Sequence, residues 1–91
     1  MHGEYKTPGG KLVMADLDVR DGKLKDVEVS GDFFLEPPEA LSGITGALED
    51  APANLAEEEF AGRVRDALSP NVEMIGFSAE AVARAVKRAL A

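Results

Sequence analysis

The sequence predicts an α+β fold in which a small antiparallel sheet is covered by about three helices. Its N-terminal part alternates apolar and polar residues, an Asp21-Gly22 pair divides that part in two, and the rest carries apolar residues at helical spacing. Strand-type segments that precede helix-type segments in this way are typical of the α+β class. The sequence contains no internal repeat and no linker-like stretch, so residues 1–91 are expected to form one domain.

The clearest strand pattern is LVMADLDVR, residues 12–20. Its apolar residues share one face: Val13, Ala15, Leu17 and Val19. This alternation predicts a half-buried antiparallel strand. Asp21-Gly22 follows at once and favours a two-residue hairpin turn, so KLKDVEVS should return beside the first segment. Upstream, GEYKT is short and polar and ends before Pro8, which predicts a first strand ahead of the hairpin.

The returning strand breaks its own alternation. Leu24 occupies an even position, whereas Val27 and Val29 occupy odd ones. A strictly paired hairpin would therefore turn both valines away from the core. One extra residue near 25–26, a β-bulge, restores the pattern and places Val29 beside Ala15. We therefore predict a bulge at this point of the hairpin.

Strand character is expected to stop after Ser30, where GDFFLEPP leads through Pro37-Pro38 into a helix. Three apolar stripes predict the helices: Leu41, Ile44 and Leu48; Phe60, Val64 and Leu68; and Val82, Val86 and Leu90. Asn54 followed by Glu57 has the spacing of a capping box and predicts the start of the second helix. VEMIGF should form a short extended segment, after which Ser78 caps the third helix.

Composition excludes several classes of function. Seventeen acidic against ten basic side chains give a net charge of -7, which disfavours nucleic-acid binding. No apolar run approaches the roughly 18 to 20 residues of a membrane span, so a soluble cytoplasmic protein is expected. Cysteine is absent, and the single histidine, His2, is expected to be frayed or weakly packed rather than a catalytic base.

Acidic residues also cluster locally, at Asp16 and Asp18 and at 57–59. Both groups fall on predicted exposed faces, so we expect them to be solvated surface rather than acid–base machinery. No Ser-His-Asp set, metal-ligand cluster or dinucleotide fingerprint is present. The sequence therefore shows no catalytic constellation of its own.

KTPGGK is unusual because two of the chain's five lysines, Lys6 and Lys11, bracket it. It is not a Walker-type phosphate loop, which needs G-x-x-x-x-G-K-[ST] before a helix, whereas Lys11 leads into a strand. Two interpretations stay open. In one, the segment is a plain turn whose backbone angles come from Pro8, Gly9 and Gly10. In the other, the glycines admit close backbone approach and the lysines converge on a carboxylate or phosphate.

GDFF, residues 31–34, is the second unusual segment, because two adjacent aromatic residues cannot both point inward from a regular strand. One interpretation puts one phenylalanine in the core and the other under the first helix. The other interpretation turns one ring towards a partner, while Asp32 accepts backbone hydrogen bonds at the turn.

Taken in order, GEYKTPGGKLV, DGKLKDVEVSGDFF, a proline-started helix and MIGFSAEAVARAVKRAL resemble the accessory domain of lipoate-protein ligase. That domain is C-terminal in fused ligases and a small separate subunit in the split ligases of archaea. The resemblance covers nearly the whole chain, and KTPGGKLV with GDFF at this separation is its most specific part. Because no catalytic domain lies between Met1 and Ala91, a separate subunit is favoured, although an excised domain would look the same.

The resemblance implies a SufE/NifU-like arrangement of sheet and helices and a division of labour. The catalytic subunit would bind lipoate and ATP with magnesium, form lipoyl-adenylate and pass the lipoyl group to a lysine of a lipoyl-domain acceptor protein. The small subunit would support adenylation, bind no cofactor alone and be no enzyme by itself. Its implied partners are the catalytic subunit and, indirectly, the acceptor.

The resemblance also implies two groups of site residues. Those of the substrate- or phosphate-facing loop are Lys6, Pro8, Gly9, Gly10 and Lys11, and those of the partner interface are Gly31, Asp32, Phe33 and Phe34. The alternative function is a non-catalytic scaffold or carrier-binding module with no part in adenylation. A free-standing enzyme is disfavoured, because the sequence holds no base, nucleophile or metal set.

Overall fold

The computed structural model describes residues 1–9, 11–31, 34–36, 39–68, 73–75 and 78–91. The elements in chain order are β1 His2–Lys6, β2 Leu12–Arg20, β3 Lys23–Gly31, β4 Phe34–Glu36, α1 Ala40–Leu48, α2 Glu57–Ala67, β5 Glu73–Ile75 and α3 Ala79–Leu90. β1, β2 and β3 form an antiparallel sheet in that spatial order, and β4 pairs with β5 in a second, two-stranded sheet. The predicted α+β class is confirmed.

The β2–β3 hairpin turns at Asp21-Gly22, as predicted. Asp21 has φ 54° and Gly22 has φ 75°, so both central residues are in the left-handed region that suits a two-residue hairpin. Val19 pairs with Leu24 directly beyond the turn. The local sequence signal therefore sets the register at this end of the sheet.

The predicted bulge is also confirmed. The register shifts by one residue between two pairs: Asp18 with Lys25, and Asp16 with Glu28. Asp26 takes φ 54° at this point, and beyond it Ala15 pairs with Val29. The Glu49 carboxylate accepts the backbone N–H groups of Asp26 and Val27, each at 3.0 Å. The extra residue thus keeps the valines on the core face, and Glu49 satisfies the N–H group of Asp26 at the bulge and that of Val27, which points away from β2.

The helices cover one face of the main sheet and enclose the core. Its largest fully buried side chains are Phe60, Leu24, Ile44, Leu48, Val13, Val64, Val82 and Val86. α3 crosses β1 so closely that a Cβ atom at Gly3 would lie 2.2 Å from the Ala85 carbonyl oxygen and 2.2 Å from the Ala89 nitrogen. Small residues at this crossing let backbone pack on backbone, which anchors β1 to α3.

Three expectations are corrected. Strand character does not stop after Ser30, because β3 runs to Gly31 and β4 then pairs with the distant β5, a non-local contact that no adjacent residue signals. α2 begins at Glu57 rather than after Asn54, since residues 51–54 follow the edge of β3 and form a turn first. His2 is not frayed, because it lies in β1 and its ring contacts the carboxylates of Glu4 and Asp16; its side chain is exposed, which agrees with the weak packing expected.

The helix starts follow recognisable capping chemistry. At α2, Glu59 accepts a hydrogen bond from the backbone nitrogen of Ala56 at 3.0 Å, so the acidic half of a capping box operates without a polar N-cap. At α3, the Ser78 hydroxyl accepts from the backbone nitrogen of Ala81 at 3.1 Å, which confirms the predicted cap. In the described part of the chain, no helix has the length and apolar character needed to cross a bilayer.

Candidate functional site

Segments that stand far apart in the sequence meet at one end of the main sheet. The β1–β2 turn lies there because Lys6 pairs with Leu12, and the last residue of β3 lies there because Gly31 pairs with Val13. α3 runs along β1 so that Ser78, at its start, lies near the same turn. We call this region the motif end: the turn 7–11, Gly31 and Ser78. It unites the described parts of KTPGGK, GDFF and GFS.

The turn closes through its own backbone. The Thr7 nitrogen donates to the Lys11 carbonyl oxygen at 2.7 Å, and the Thr7 hydroxyl donates to the same oxygen at 3.1 Å. Gly9 has φ 102°, a conformation that favours glycine, and nothing lies within 4 Å of a Cβ placed on it. Gly10 lies outside the described residues. The turn therefore projects from the end of the two-stranded ribbon that β1 and β2 form.

Lys6 and Lys11 leave the ribbon on opposite faces. Lys6 pairs with Leu12 and shares its face, whereas Lys11 precedes Leu12 and lies opposite Thr7 on the other face. Both lysines are exposed, and neither forms an ion pair with any described residue. The turn thus offers one ammonium group to each face of the sheet.

A cleft of about 340 Å³ separates the turn from the start of α3. It is lined by Tyr5, Thr7 and Pro8 on the ribbon side, and by Ser78, Glu80, Ala81 and Arg84 on the helix side. By the same alternation as above, Lys11 is on the face of the ribbon that borders this cleft, because it shares that face with Thr7. The cleft is therefore the concave part of the motif end.

The charged groups of the cleft are paired within the chain. The Arg84 guanidinium lies 5.1 Å from the centre of the Tyr5 ring and contacts the Glu57 carboxylate at 3.3 Å. Hydrogen bonding to Glu57 raises the pKa of Arg84, with a smaller contribution from Tyr5. Glu80 contacts Arg65 at 2.6 Å. These pairs hold Tyr5 and α3 together. Among the described residues near the cleft, three cations have no carboxylate partner: the two turn lysines and Arg88, whose guanidinium lies 5.2 Å from the centre of the Tyr5 ring.

The predicted site residues are placed unequally. Pro8 and Gly9 lie in the turn and are exposed, and Gly31 lies at the exposed end of β3. Asp32 and Phe33 lie outside the described residues. Phe34 opens β4, but its side chain is not described, so the partner-facing aromatic stays a prediction.

Tyr5 and Arg84 are site residues that the sequence reasoning does not identify. Tyr5 pairs with Val13 and shares its face, so the odd-numbered position of Tyr5 in β1 could have indicated that it faces the helices. From the sequence, Arg84 is explained only by the preference for positive charge near the end of a helix. Its contact with Tyr5 of β1 depends on how α3 packs on the sheet, which the sequence spacing does not predict. Among the described residues, no group of three or more His, Cys, Asp or Glu side chains could hold a metal ion.

Comparison with known proteins gives one structural neighbour of note. No family model and no curated protein sequence matches the chain. A chain in the solved structure of an archaeal lipoylation system from Thermoplasma acidophilum, described as a bipartite lipoate protein ligase and its E2 lipoyl domain, superposes with a TM-score of 0.71 at 25% identity. The match covers 94% of this chain and 97% of that one. The protein is thus similar in fold and length to a component of a lipoylation system.

Proposed function

We propose that this protein is the accessory subunit of a bipartite lipoate-protein ligase. In this role it supports the ATP-dependent activation of lipoate to lipoyl-adenylate by a separate catalytic subunit, before the lipoyl group passes to a lysine of an acceptor protein. The observation that carries the proposal is the superposition on a chain of the Thermoplasma system over nearly the full length of both. The sequence resemblance points independently to the accessory component.

The motif end is the surface that we assign to the catalytic subunit. Between Tyr5 and Ala15 the chain has two lysines and no acidic residue, although the whole protein carries a net charge of -7. A local positive projection on an acidic protein favours contact with anionic groups. In the complex, lipoate and ATP with magnesium would occupy the catalytic subunit, and a turn lysine would place positive charge near the triphosphate or the activated carboxylate.

The partner interface would continue from Gly31 into GDFF. Two aromatic residues adjacent in the sequence are suited to anchoring a contact, since buried aromatic side chains dominate many protein interfaces. We assign Asp32, Phe33 and Phe34 to this interface. The turn and the aromatic segment would then contact the same partner from neighbouring positions at the motif end.

Removal of the subunit is the direct test of this function. Lipoate-dependent exchange between ATP and pyrophosphate should be measured on the catalytic subunit that co-purifies with this chain, with and without the chain. We expect exchange to require the chain, whereas transfer from preformed lipoyl-adenylate should be much less affected. Full exchange by the catalytic subunit alone would refute the accessory role.

Lysine variants test the role of the turn within that function. Replacing Lys11 by Ala should lower exchange by about 10-fold or more in the saturated complex, equivalent to about 1.36 kcal/mol per decade. The same variant should change the free energy of unfolding by no more than about 0.5 kcal/mol, because the side chain is exposed. Lys23→Ala, an exposed lysine at the other end of β3, is the matched control and should leave exchange unchanged.

Lys11 is the better candidate of the two turn lysines. Its carbonyl oxygen accepts two hydrogen bonds from Thr7, which fixes the backbone from which the side chain projects. Lys6 lies on the opposite face of the ribbon, so we expect one of the two variants, and not both, to lose activity. If both alanine variants support full exchange when saturated with the catalytic subunit, the segment is only a turn.

A second function is favoured by one observation: the neighbouring structure contains an E2 lipoyl domain as well as the ligase. A carrier-binding module with no part in adenylation would bind an acceptor lipoyl domain directly. Titration of this chain alone with an acceptor domain distinguishes the two functions. Saturable binding combined with exchange that does not depend on the chain would favour the carrier-binding module.

A further inference from the structure

The two edges of the main sheet differ in how much of their backbone is already paired. The Leu17 nitrogen donates to the Met1 carbonyl oxygen at 2.9 Å, so odd-numbered residues of β2 bond to β1 and even-numbered ones to β3. Beyond the bulge, Glu28 pairs with Asp16 and therefore bonds inward. Val27 and Val29 consequently direct their backbone groups away from the sheet.

Half of the β3 edge is covered by the chain itself. The Leu24 nitrogen donates to the Ala51 carbonyl oxygen at 2.9 Å, and the Asp50 nitrogen donates to the Leu24 carbonyl oxygen at 2.8 Å. Glu49 then accepts the Val27 N–H group at 3.0 Å. Residues 50–51 thus cover the edge beside Leu24, and the Glu49 carboxylate covers it as far as the nitrogen of Val27.

The covering stops there. The Val27 carbonyl and both backbone groups of Val29 have no backbone partner within the described part of the chain. A groove of about 390 Å³ runs along this stretch, between residues 27–30 of β3 and the side chains of Leu41, Ser42 and Thr45 in α1. A strand edge with a helix as the opposite wall is an arrangement that accepts added strands in peptide-binding domains.

We propose that this groove binds an extended segment of a partner protein, which adds to β3 as a further strand. The occupant pairs with the backbone of Val29 and places an apolar side chain against Leu41. Its neighbouring residues lie opposite Glu28 and Ser30, on the outer face of the sheet. Glu28 is exposed and forms no ion pair with any described residue, so a basic residue at that position is complementary.

Two other arrangements fit the structure less well. The β1 edge is crossed by Arg88, whose guanidinium donates to the Glu4 carbonyl oxygen at 3.0 Å, and charged side chains along it discourage pairing. A second copy of this chain would offer VEVSG, residues 27–31, which contains no basic residue to meet Glu28. The net charge of -7 also opposes self-association. The groove is separate from the motif end cleft, and the proposal does not depend on the ligase function.

The test uses blocked pentapeptides as probes, because the natural partner segment is unidentified. Thr-Lys-Val-Lys-Thr and Thr-Glu-Val-Glu-Thr should each be titrated into the isotope-labelled protein and followed by amide NMR. The lysine peptide should shift amides of residues 27–30 and 41–45 saturably and bind about 3-fold or more tighter than the glutamate peptide. Shifts confined to other residues, equal binding of both peptides, or no shift at millimolar peptide would overturn the proposal.

Charge reversal sharpens the assignment. Glu28→Lys should weaken binding of the lysine peptide by about 3-fold or more and strengthen binding of the glutamate peptide. Glu58→Lys, on the exposed surface of α2, should change the affinity for neither peptide. Ser42→Trp should block both peptides by filling the groove. In the free protein the Val29 amide should exchange rapidly with solvent. Slow exchange of that amide would show that the edge is already occupied and would contradict the proposal.

Discussion

The crossing of α3 over β1 makes one substitution unusually informative. A Cβ atom at Gly3 would lie 2.2 Å from the Ala85 carbonyl oxygen, 2.2 Å from the Ala89 nitrogen and 2.9 Å from the Ala89 Cα, where ordinary contact begins at 3.4 Å. All three atoms are backbone, so no side chain can rotate away. Gly3→Ala therefore forces the helix and strand apart by about 1 Å or more, which disturbs the core residues that α3 supplies.

The expected cost follows from known overpacking effects. Forcing extra methyl groups into a packed core costs about 1–3 kcal/mol, and a clash with backbone on two sides belongs at the upper end. A loss of about 3 kcal/mol lowers Tm by roughly 12–24 °C in a domain of this size, at about 4–8 °C per kcal/mol. Thermal and urea unfolding followed by circular dichroism measure both quantities.

The same substitution of glycine by alanine should have the opposite effect on stability at two other positions. At Gly46 in α1 and Gly62 in α2, an added Cβ atom would have nothing within 4 Å and neither residue has a positive φ, so alanine fits there. Because glycine inside a helix is less favourable than alanine, each change should stabilise the protein by about 0.5–1 kcal/mol. If Gly3→Ala changes stability by less than about 0.5 kcal/mol, α3 does not pack on β1 as described.

Three further changes are predicted. Hydrogen bonds to Glu4 and then to Asp16 raise the pKa of His2 above its ordinary value of 6.5. The stabilisation that protonated His2 gives the folded state is therefore full below about pH 6.5 and is lost as the pH rises through the folded-state pKa. An NMR titration that gives a pKa at or below 6.5 would contradict this. Glu49→Gln leaves one carbonyl oxygen where two carboxylate oxygens served the bulge, and should cost about 1 kcal/mol in urea unfolding; an unchanged midpoint would mean that water replaces the lost bond. Phe34→Ala should weaken binding to the catalytic subunit by about 1–3 kcal/mol in calorimetry without unfolding the chain, unless the ring is fully buried in the monomer, in which case its assignment to the interface fails.

The parts of the fold that sequence predicts well are those fixed by neighbouring residues. The bulge follows from parity alone, because Leu24, Val27 and Val29 can share one face only with an extra residue between them. The Ser78 helix cap is equally local, because the Ser78 hydroxyl accepts a hydrogen bond from the backbone nitrogen of Ala81, three residues later. These features need no knowledge of distant contacts.

Features that depend on distant partners cannot be predicted in this way. β4 has only three residues and exists as a strand through its pairing with β5, which lies beyond two helices in the chain. The start of α2 differs from the prediction because residues 51–53 follow β3 before the helix begins, through contacts that include the Leu24 nitrogen and the Ala51 carbonyl oxygen. The cleft needs Tyr5 and Arg84 on separate elements, and only the packing of α3 on β1 unites them.

The arrangement of charge bears on the role proposed for the turn. Four of the ten Lys and Arg side chains pair with carboxylates inside the protein: Arg20 with Asp18 and Asp26, Lys25 with Asp50, Arg65 with Glu80, and Arg84 with Glu57. Such pairs fix side chains to the framework and contribute little field beyond it. Lys87 and Arg88 instead donate to backbone carbonyl oxygens, and the other four have neither kind of partner among the described residues: Lys6, Lys11, Lys23 and Arg63. Lys6 and Lys11 are the two of these that lie at the motif end.

The fold then determines where each free charge can act. The ribbon register sends Lys11 to the cleft face and Lys6 to the outer face of the sheet, while the two hydrogen bonds of Thr7 hold the turn closed. A partner that contacts only the cleft face would meet Lys11 and leave Lys6 in solvent. In the proposed complex, the difference between the two lysine variants in the exchange assay would therefore report which face of the sheet lies against the catalytic subunit, in addition to whether the turn takes part in activation.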